Sequence, residues 1–153
     1  MRWLVKAEPN SRIVNGHDVK YTIDDLQKNK IVTYGRIRNY EARKYMKQMT
    51  IGDKVFFYRS NCKEPAITGI ATVVKEAYPD KVAMDPSSAF YDPKKRPWFV
   101  ADLGYESHLA KPVLLSDIKK HPELSDMLLV KRCRLSVLPV QDKEWETILD
   151  MSQ

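Results

Sequence analysis

The stretch Asp53-Lys54-Val55-Phe56-Phe57-Tyr58-Arg59 reads as a strand with apolar residues on both faces. Side chains alternate along a strand, so Phe56 and Tyr58 point one way and Val55 and Phe57 the other. A strand that is apolar on both sides lies in the middle of a sheet or in a barrel wall. Ser60 to Pro65 follows as a loop, and Ile67 to Glu76, rich in Ile, Val and Thr, as a second long strand. Trp98 to Leu109 and Arg134 to Val140 read as further strands, and residues 2–6 as a first one. Strands that succeed one another directly argue against a doubly wound α/β sheet. The expected class is α+β: a small, mostly antiparallel, curved β-barrel with helices around it.

The helices are marked by caps and by period. Thr22 followed by Asp25 predicts a helix start, with the hydroxyl accepting an early backbone N–H, and a short helix to about Asn29. Ala42, Tyr45, Met46 and Met49 fall at i, i+3, i+4 and i+7 behind a candidate N-cap, Asn39. Gly52 ends that pattern. Arg36, Tyr40, Arg43 and Lys47 sit on another face, so the element buries one side and shows a basic, Tyr-bearing side. Ser116 is a candidate cap for a short helix ended by Pro122, and Trp145, Ile148 and Leu149 mark a C-terminal amphipathic helix. Asn10 to Lys20, with Asn15-Gly16, reads as a loop or hairpin turn. Tyr78 to Pro97 holds four of the nine prolines and reads as a long irregular loop.

The 153 residues fit one domain, 1–153. A 43% hydrophobic and 10% aromatic composition excludes a disordered chain. No apolar run approaches the roughly 18 residues that a bilayer span requires. Lys6 and Glu8 interrupt the apolar N-terminal stretch, so it is not expected to be a signal peptide. Cys62 and Cys133 make neither a disulfide framework nor a zinc spacing, which points to a reducing, intracellular setting. The net charge of +6 is unevenly spread. Segment 36–47 carries +4, segment 128–134 +3 and segment 92–97 +2, leaving −3 elsewhere. Clustered cations are what a phosphate-tracking surface needs, although three separate solvated faces would give the same sum.

His17, His108 and His121 are scattered, so no metal site is expected. The nucleophile elbow, the P-loop and G-x-G-x-x-G are all absent, and no cofactor is expected. Three segments stand out. Lys6-Ala7-Glu8-Pro9 puts two opposite charges at a strand end, either as a surface ion pair or as a charged pair at a barrel mouth. Tyr34 to Arg43 crowds Arg, Asn and Tyr at a helix start, where backbone N–H groups favour anions; a solvated, capped helix would look the same. In Phe57 to Pro65, Asn61 offers a donor and an acceptor that match a base edge, or it simply makes the turn. Cys62 reads as a small packed residue rather than a nucleophile.

Together these segments resemble the EVE domain family of the PUA-like superfamily. The family opens W-L-x-K-S-E-P, matched by Trp3 to Pro9 with Ala7 for Ser. Its W-x-G-V-R-N-Y-Q-A-R is met by Tyr34 to Arg43, with Tyr34 for Trp and Arg36 for Gly. Its F-F-Y-H-S-N-C-K-E-P is met by Phe56 to Pro65, with Arg59 for His. K-E-A-Y-P-D recurs at Lys75 to Asp80 and Y-D-P at Tyr91 to Pro93. The tail R-L-S-I-x-P-L resembles Arg134 to Val140.

The resemblance implies a concave pocket at the barrel mouth, as in the related SRA and YTH domains, which hold a single base there. It implies a reader of modified bases, with cytosine derivatives in DNA as the leading candidates and DNA favoured over RNA. A pocket of Lys6, Glu8, Tyr34, Arg38, Asn39, Tyr58, Ser60, Asn61 and Trp98 is expected, with Arg36, Arg43, Lys47, Lys94 and Lys95 on phosphates. Tyr34 and Trp98 would stack on the base, and Asn61 would read its edge. For Trp98 the alternative is a core aromatic, and Trp3 and Trp145 are read as core. Two other classes stay open: a small ASCH-like amidohydrolase using Lys6 and Glu8, and an RNA-binding PUA-type module. A monomer is expected that contacts neither membrane nor metal. Its compartment would be nuclear in a eukaryote and cytoplasmic in a bacterium.

Overall fold

The computed structural model describes residues 1–11, 13–14, 17–18, 20–35, 40–80, 85–87, 99–132 and 134–153. In chain order these form β1 (Arg2–Ala7), β2 (Ile13–Val14), β3 (His17–Asp18), α1 (Ile23–Asn29), β4 (Ile31–Gly35), α2 (Tyr40–Gln48) and β5 (Lys54–Arg59). Then come β6 (Ala66–Pro79), β7 (Phe99–Leu114), α3 (Leu115–Lys120), a 3-10 turn at Pro122–Leu124, α4 (Leu128–Lys131), β8 (Val137–Val140) and α5 (Asp142–Met151). Six strands make one sheet in the order β4-β7-β6-β5-β1-β8, and β2 and β3 pair by themselves on either side of Asn15-Gly16.

The fold is α+β, and the sheet is mixed: β1 runs parallel to β5, and every other pair is antiparallel. β5 lies inside the sheet, which explains its two apolar faces. Phe56 stacks on Trp145 of α5 at 3.7 Å between centroids, while Phe57 meets the ring of Tyr21 edge-on at 6.2 Å. Trp3 is buried in the core, and its indole N–H donates to Asp53 Oδ2 at 2.9 Å. α1 starts at the expected cap: Thr22 Oγ1 accepts from Asp25 N–H, and the Asp25 carboxylate accepts from Thr22 N–H in return. Gly69 lets this helix sit on β6, since a Cβ there would lie 2.6 Å from Ile23 Cδ1.

The expected barrel is not closed. β4 and β8 are the two edges, and no backbone ladder joins them among the described residues. The sheet nevertheless curls. β6 and β7 are long, and their pairing shifts register at four places, each of which bends and twists the ribbon. The two edges are then bridged by one side chain. Tyr34 of β4 donates its hydroxyl to the Lys6 carbonyl of β1 at 2.7 Å and lies 3.2 Å from the Ser136 carbonyl just before β8. α2 packs against both β7 and β8, over this seam.

Several boundaries differ from the sequence reading. β4 is an extra strand, and α4 is an extra short helix. α3 begins one residue before Ser116, with Leu114 at its N-cap. β7 runs on to Leu114. The expected long loop falls mostly outside the described residues.

Candidate functional site

The C-terminal end of β1 is held from three sides by main-chain hydrogen bonds. Lys6 N–H donates to the Ser136 carbonyl (3.0 Å), Ser60 N–H to the Ala7 carbonyl (2.8 Å) and Tyr21 N–H to the Glu8 carbonyl (2.8 Å). Ser60 adds its hydroxyl, which also donates to the Ala7 carbonyl, at 3.2 Å. This is where the segments that stood out in the sequence converge.

Lys6 and Tyr58 are register partners on β1 and β5, so their side chains leave the sheet on the same face. Lys6 Nζ lies 5.6 Å from the Tyr58 ring centroid, within cation–π range. Tyr58 is buried and Lys6 half-buried. Tyr34 reaches the same strand end from the far edge of the sheet. Its hydroxyl donates to Lys6 C=O and accepts from Lys6 N–H at 3.2 Å. Burial pushes this phenol far above the usual tyrosine range, and the Lys6 N–H, which favours a phenolate, offsets little of that. A neutral hydroxyl therefore pins Lys6 at any physiological pH.

Gly35, next to Tyr34, allows the edge strand to approach β7 closely. A Cβ there would stand 2.6 Å from the Phe99 carbonyl and 2.7 Å from Val100 Cγ1. Asn61 adopts a left-handed backbone (φ 53°) and is exposed, a conformation that Asn tolerates better than most residues. It makes the turn after β5, and its side chain stands at the surface beside Ser60. Arg59 Nε closes the same loop on the Glu64 carbonyl at 3.0 Å.

On α2, the Arg43 guanidinium lies 4.3 Å from the Tyr40 ring centroid and is buried beneath it. Lys47 is exposed, with Nζ 4.1 Å from the Phe99 ring centroid. Arg36, Arg38, Asn39, Lys94, Lys95 and Trp98 lie outside the described residues. The structure thus gathers Lys6, Tyr34, Tyr58 and Ser60, with Glu8 and Asn61 at their border. Arg43 and Lys47 sit on the adjoining helix.

Sequence reasoning missed Ser136, whose contribution is a carbonyl and leaves no side-chain signal. It also missed Phe99, the aromatic beneath Lys47. The basic segment 128–134 is partly consumed by pairing: Lys131 bonds Asp126 at 2.8 Å, and Arg132 grips Glu41 with both terminal nitrogens. A surface depression of about 470 Å³, lined in part by Arg2, Asp126, Leu128, Pro139 and Asp142, lies at the other end of β1 and contains none of the candidate residues. Among the described residues, no three His, Cys, Asp or Glu side chains group as metal ligands. No described helix is long and apolar enough to cross a membrane.

A family model, the EVE domain, matches residues 1–151. Thymocyte nuclear protein 1 of Danio rerio is 42% identical over 164 residues, covering 98% of this chain and 71% of that protein. The crystal structure of human THYN1 protein in complex with 5-methylcytosine-containing DNA superposes with a TM-score of 0.93 at 34% identity, covering 99% of this chain and 97% of that one. An ASCH protein from Zymomonas mobilis, 10% identical with a TM-score of 0.57, shares the fold alone.

Proposed function

The chain belongs to the EVE domain family, and on that premise we propose that it binds DNA and reads a modified cytosine at the C-terminal end of β1. The observation that carries the reading is the near-complete superposition on a relative solved with 5-methylcytosine-containing DNA. The local chemistry supports it. Lys47 and the neighbouring cations attract the phosphate backbone, and that attraction supplies affinity without sequence information. A base leaves the stack at a cost of a few kcal/mol. Stacking on an aromatic face returns about 1–3 kcal/mol. Tyr34 and Trp98 are the candidate faces, with Tyr58, buried with Lys6 over its ring, bracing the pocket from within; Asn61, Ser60 and main-chain groups are the candidates for reading the base edge. Lys6, Glu8, Arg38 and Asn39 would line or brace the pocket, with Arg36, Lys94 and Lys95 among the phosphate contacts; Arg43, expected on a phosphate, is instead buried under the Tyr40 ring and holds that ring in place.

A hydrolase of the ASCH type has a fold likeness behind it and no more. The vertebrate relatives are named as nuclear proteins, and a nuclear location for a eukaryotic source goes with the DNA reading. The test is fluorescence anisotropy with matched duplexes carrying cytosine or 5-methylcytosine, and with RNA of the same sequence, at two salt concentrations. Tighter binding of the modified duplex at both salts is expected. Equal affinity for both duplexes would remove base reading and leave backbone binding. Preference for the RNA would reassign the module.

A further inference from the structure

α2 carries a second, outward-facing arrangement. Tyr40, Lys44 and Lys47 fall at i, i+4 and i+7, which places them along one exposed stripe of the helix, while Arg43 is buried at its edge together with Ala42 and Met46. Tyr40 is 82% exposed, more than any other large apolar or aromatic side chain among the described residues. A tyrosine so exposed adds little to folding. It is nonetheless held, because Arg43 lies beneath one face at 4.3 Å, and at this exposure the other face is open among the described residues. The single acid of the helix, Glu41, is taken up by the two Arg132 nitrogens and by the Tyr45 hydroxyl at 3.3 Å. The stripe therefore meets a ligand with one open aromatic face followed by two exposed lysines, and no acid of α2 opposes them.

We propose that this stripe binds an unpaired nucleotide segment flanking the base that is read: Tyr40 stacks on one base, and Lys44 and Lys47 hold the phosphates that follow. The proposal rests on the DNA reading above and adds a single-stranded flank to the ligand. An aromatic with a cation on one face can stack on its other face only. It suits a splayed or terminal base and not a wedge between two stacked pairs, which needs both faces. The stripe is one-sided in just this way. The lysines lie one and two turns further along the helix, as a backbone leaving the stacked base would require.

The experiment compares a blunt 5-methylcytosine duplex with the same duplex extended by a short single-stranded flank, using the full chain. The flank is expected to improve Kd by about tenfold in the wild type. Tyr40→Ala should abolish that gain, Tyr40→Phe should keep it, and neither should alter discrimination between modified and plain cytosine. Lys44→Ser and Lys47→Ser should each flatten the slope of log Kd against log salt on the flanked ligand, by about 0.7 for each phosphate no longer held. An unchanged flank gain in Tyr40→Ala, or a gain that disappears equally in Tyr40→Phe, would overturn the stacking role. Unchanged salt slopes in both lysine variants would overturn the phosphate role. If the wild type does not discriminate modified from plain cytosine, the base-reading proposal fails by itself, because the flank comparison can be run on either duplex.

Discussion

Removing one oxygen atom, in Tyr34→Phe, tests how the open sheet is held shut. The hydroxyl has one proton. The 2.7 Å contact assigns it to the Lys6 carbonyl, and the Ser136 carbonyl at 3.2 Å shares the same hydrogen weakly. Ser136 C=O also receives Lys6 N–H at 3.0 Å, so it keeps a partner in the variant. The loss falls on the Lys6 carbonyl, which gives up a short bond in a partly buried place. Leaving a buried acceptor without its donor costs about 1–3 kcal/mol, and the ring, its packing and the chain entropy are unchanged. A chain of this size shifts its melting temperature by roughly 2–4 °C per kcal/mol, so thermal melts should show a fall of about 2–12 °C. Urea titrations should show a lower midpoint at constant slope. Alkaline titration supplies a second readout. Burial raises the folded phenol's pKa, so Tyr34 contributes its stability fully below the unfolded value near 10 and loses it as pH rises beyond that. The gap between wild type and variant should therefore narrow above about pH 10. A variant as stable as wild type within about 0.5 kcal/mol, with the same alkaline profile, would refute the seam argument.

Asp53 gives an acid counterpart. Burial works to raise its pKa, but bonds from Thr50 N–H, the Trp3 indole, the N-terminal amine and the Thr50 hydroxyl outweigh it, and the carboxyl lies below the usual range. Its stabilising effect is thus present above the unfolded value near 3.9 and is lost as pH falls through the lower folded value. Asp53→Asn should cost about 1–3 kcal/mol at pH 7, and urea melts repeated toward pH 3 should show that difference closing. At Gly35, an alanine Cβ would run into the Phe99 carbonyl and Val100. Gly35→Ala should destabilise by about 1–3 kcal/mol in urea and weaken DNA binding with it, since β4 must lift and carry Tyr34 away.

What was legible in the sequence was what neighbouring residues decide. The α1 cap, the α2 apolar face and the two-sided burial of β5 each follow from a few adjacent side chains. Trp3 and Trp145 were readable as core because each sits in a strongly patterned element. β4 was not readable. Its five residues show no clear alternation, and it exists as a strand through pairing with β7, some seventy positions away in sequence. The open edge was hidden for the same reason: whether β4 meets β8 is a tertiary fact. Charge counting failed at 128–134, where Lys131 answers Asp126 just before the segment and Arg132 answers Glu41 on α2. At the site, the sequence marked Lys6, Tyr34 and Ser60 by type, yet their convergence depends on carbonyls of Ala7 and Ser136 that carry no type at all.

In the proposed pocket Tyr34 would tie stability to recognition, and that limits which variants are informative. The family residue it replaces is Trp, whose indole donates one hydrogen bond and accepts none. The phenol here does both, donating to Lys6 C=O and accepting from Lys6 N–H. Its oxygen is committed to the seam, so only its ring face is left for a base. Tyr34→Ala would remove the face and the bond together and would leave a cavity between β4 and β1, confounding any loss of binding with partial unfolding. Tyr34→Phe keeps the face and removes the bond. Well below its melting temperature, a Phe variant that discriminates modified from plain cytosine as the wild type does would confine any part of Tyr34 in reading to its ring face. A variant that stays folded yet loses discrimination would show that the hydroxyl acts through Lys6, holding the strand end on which the site is built.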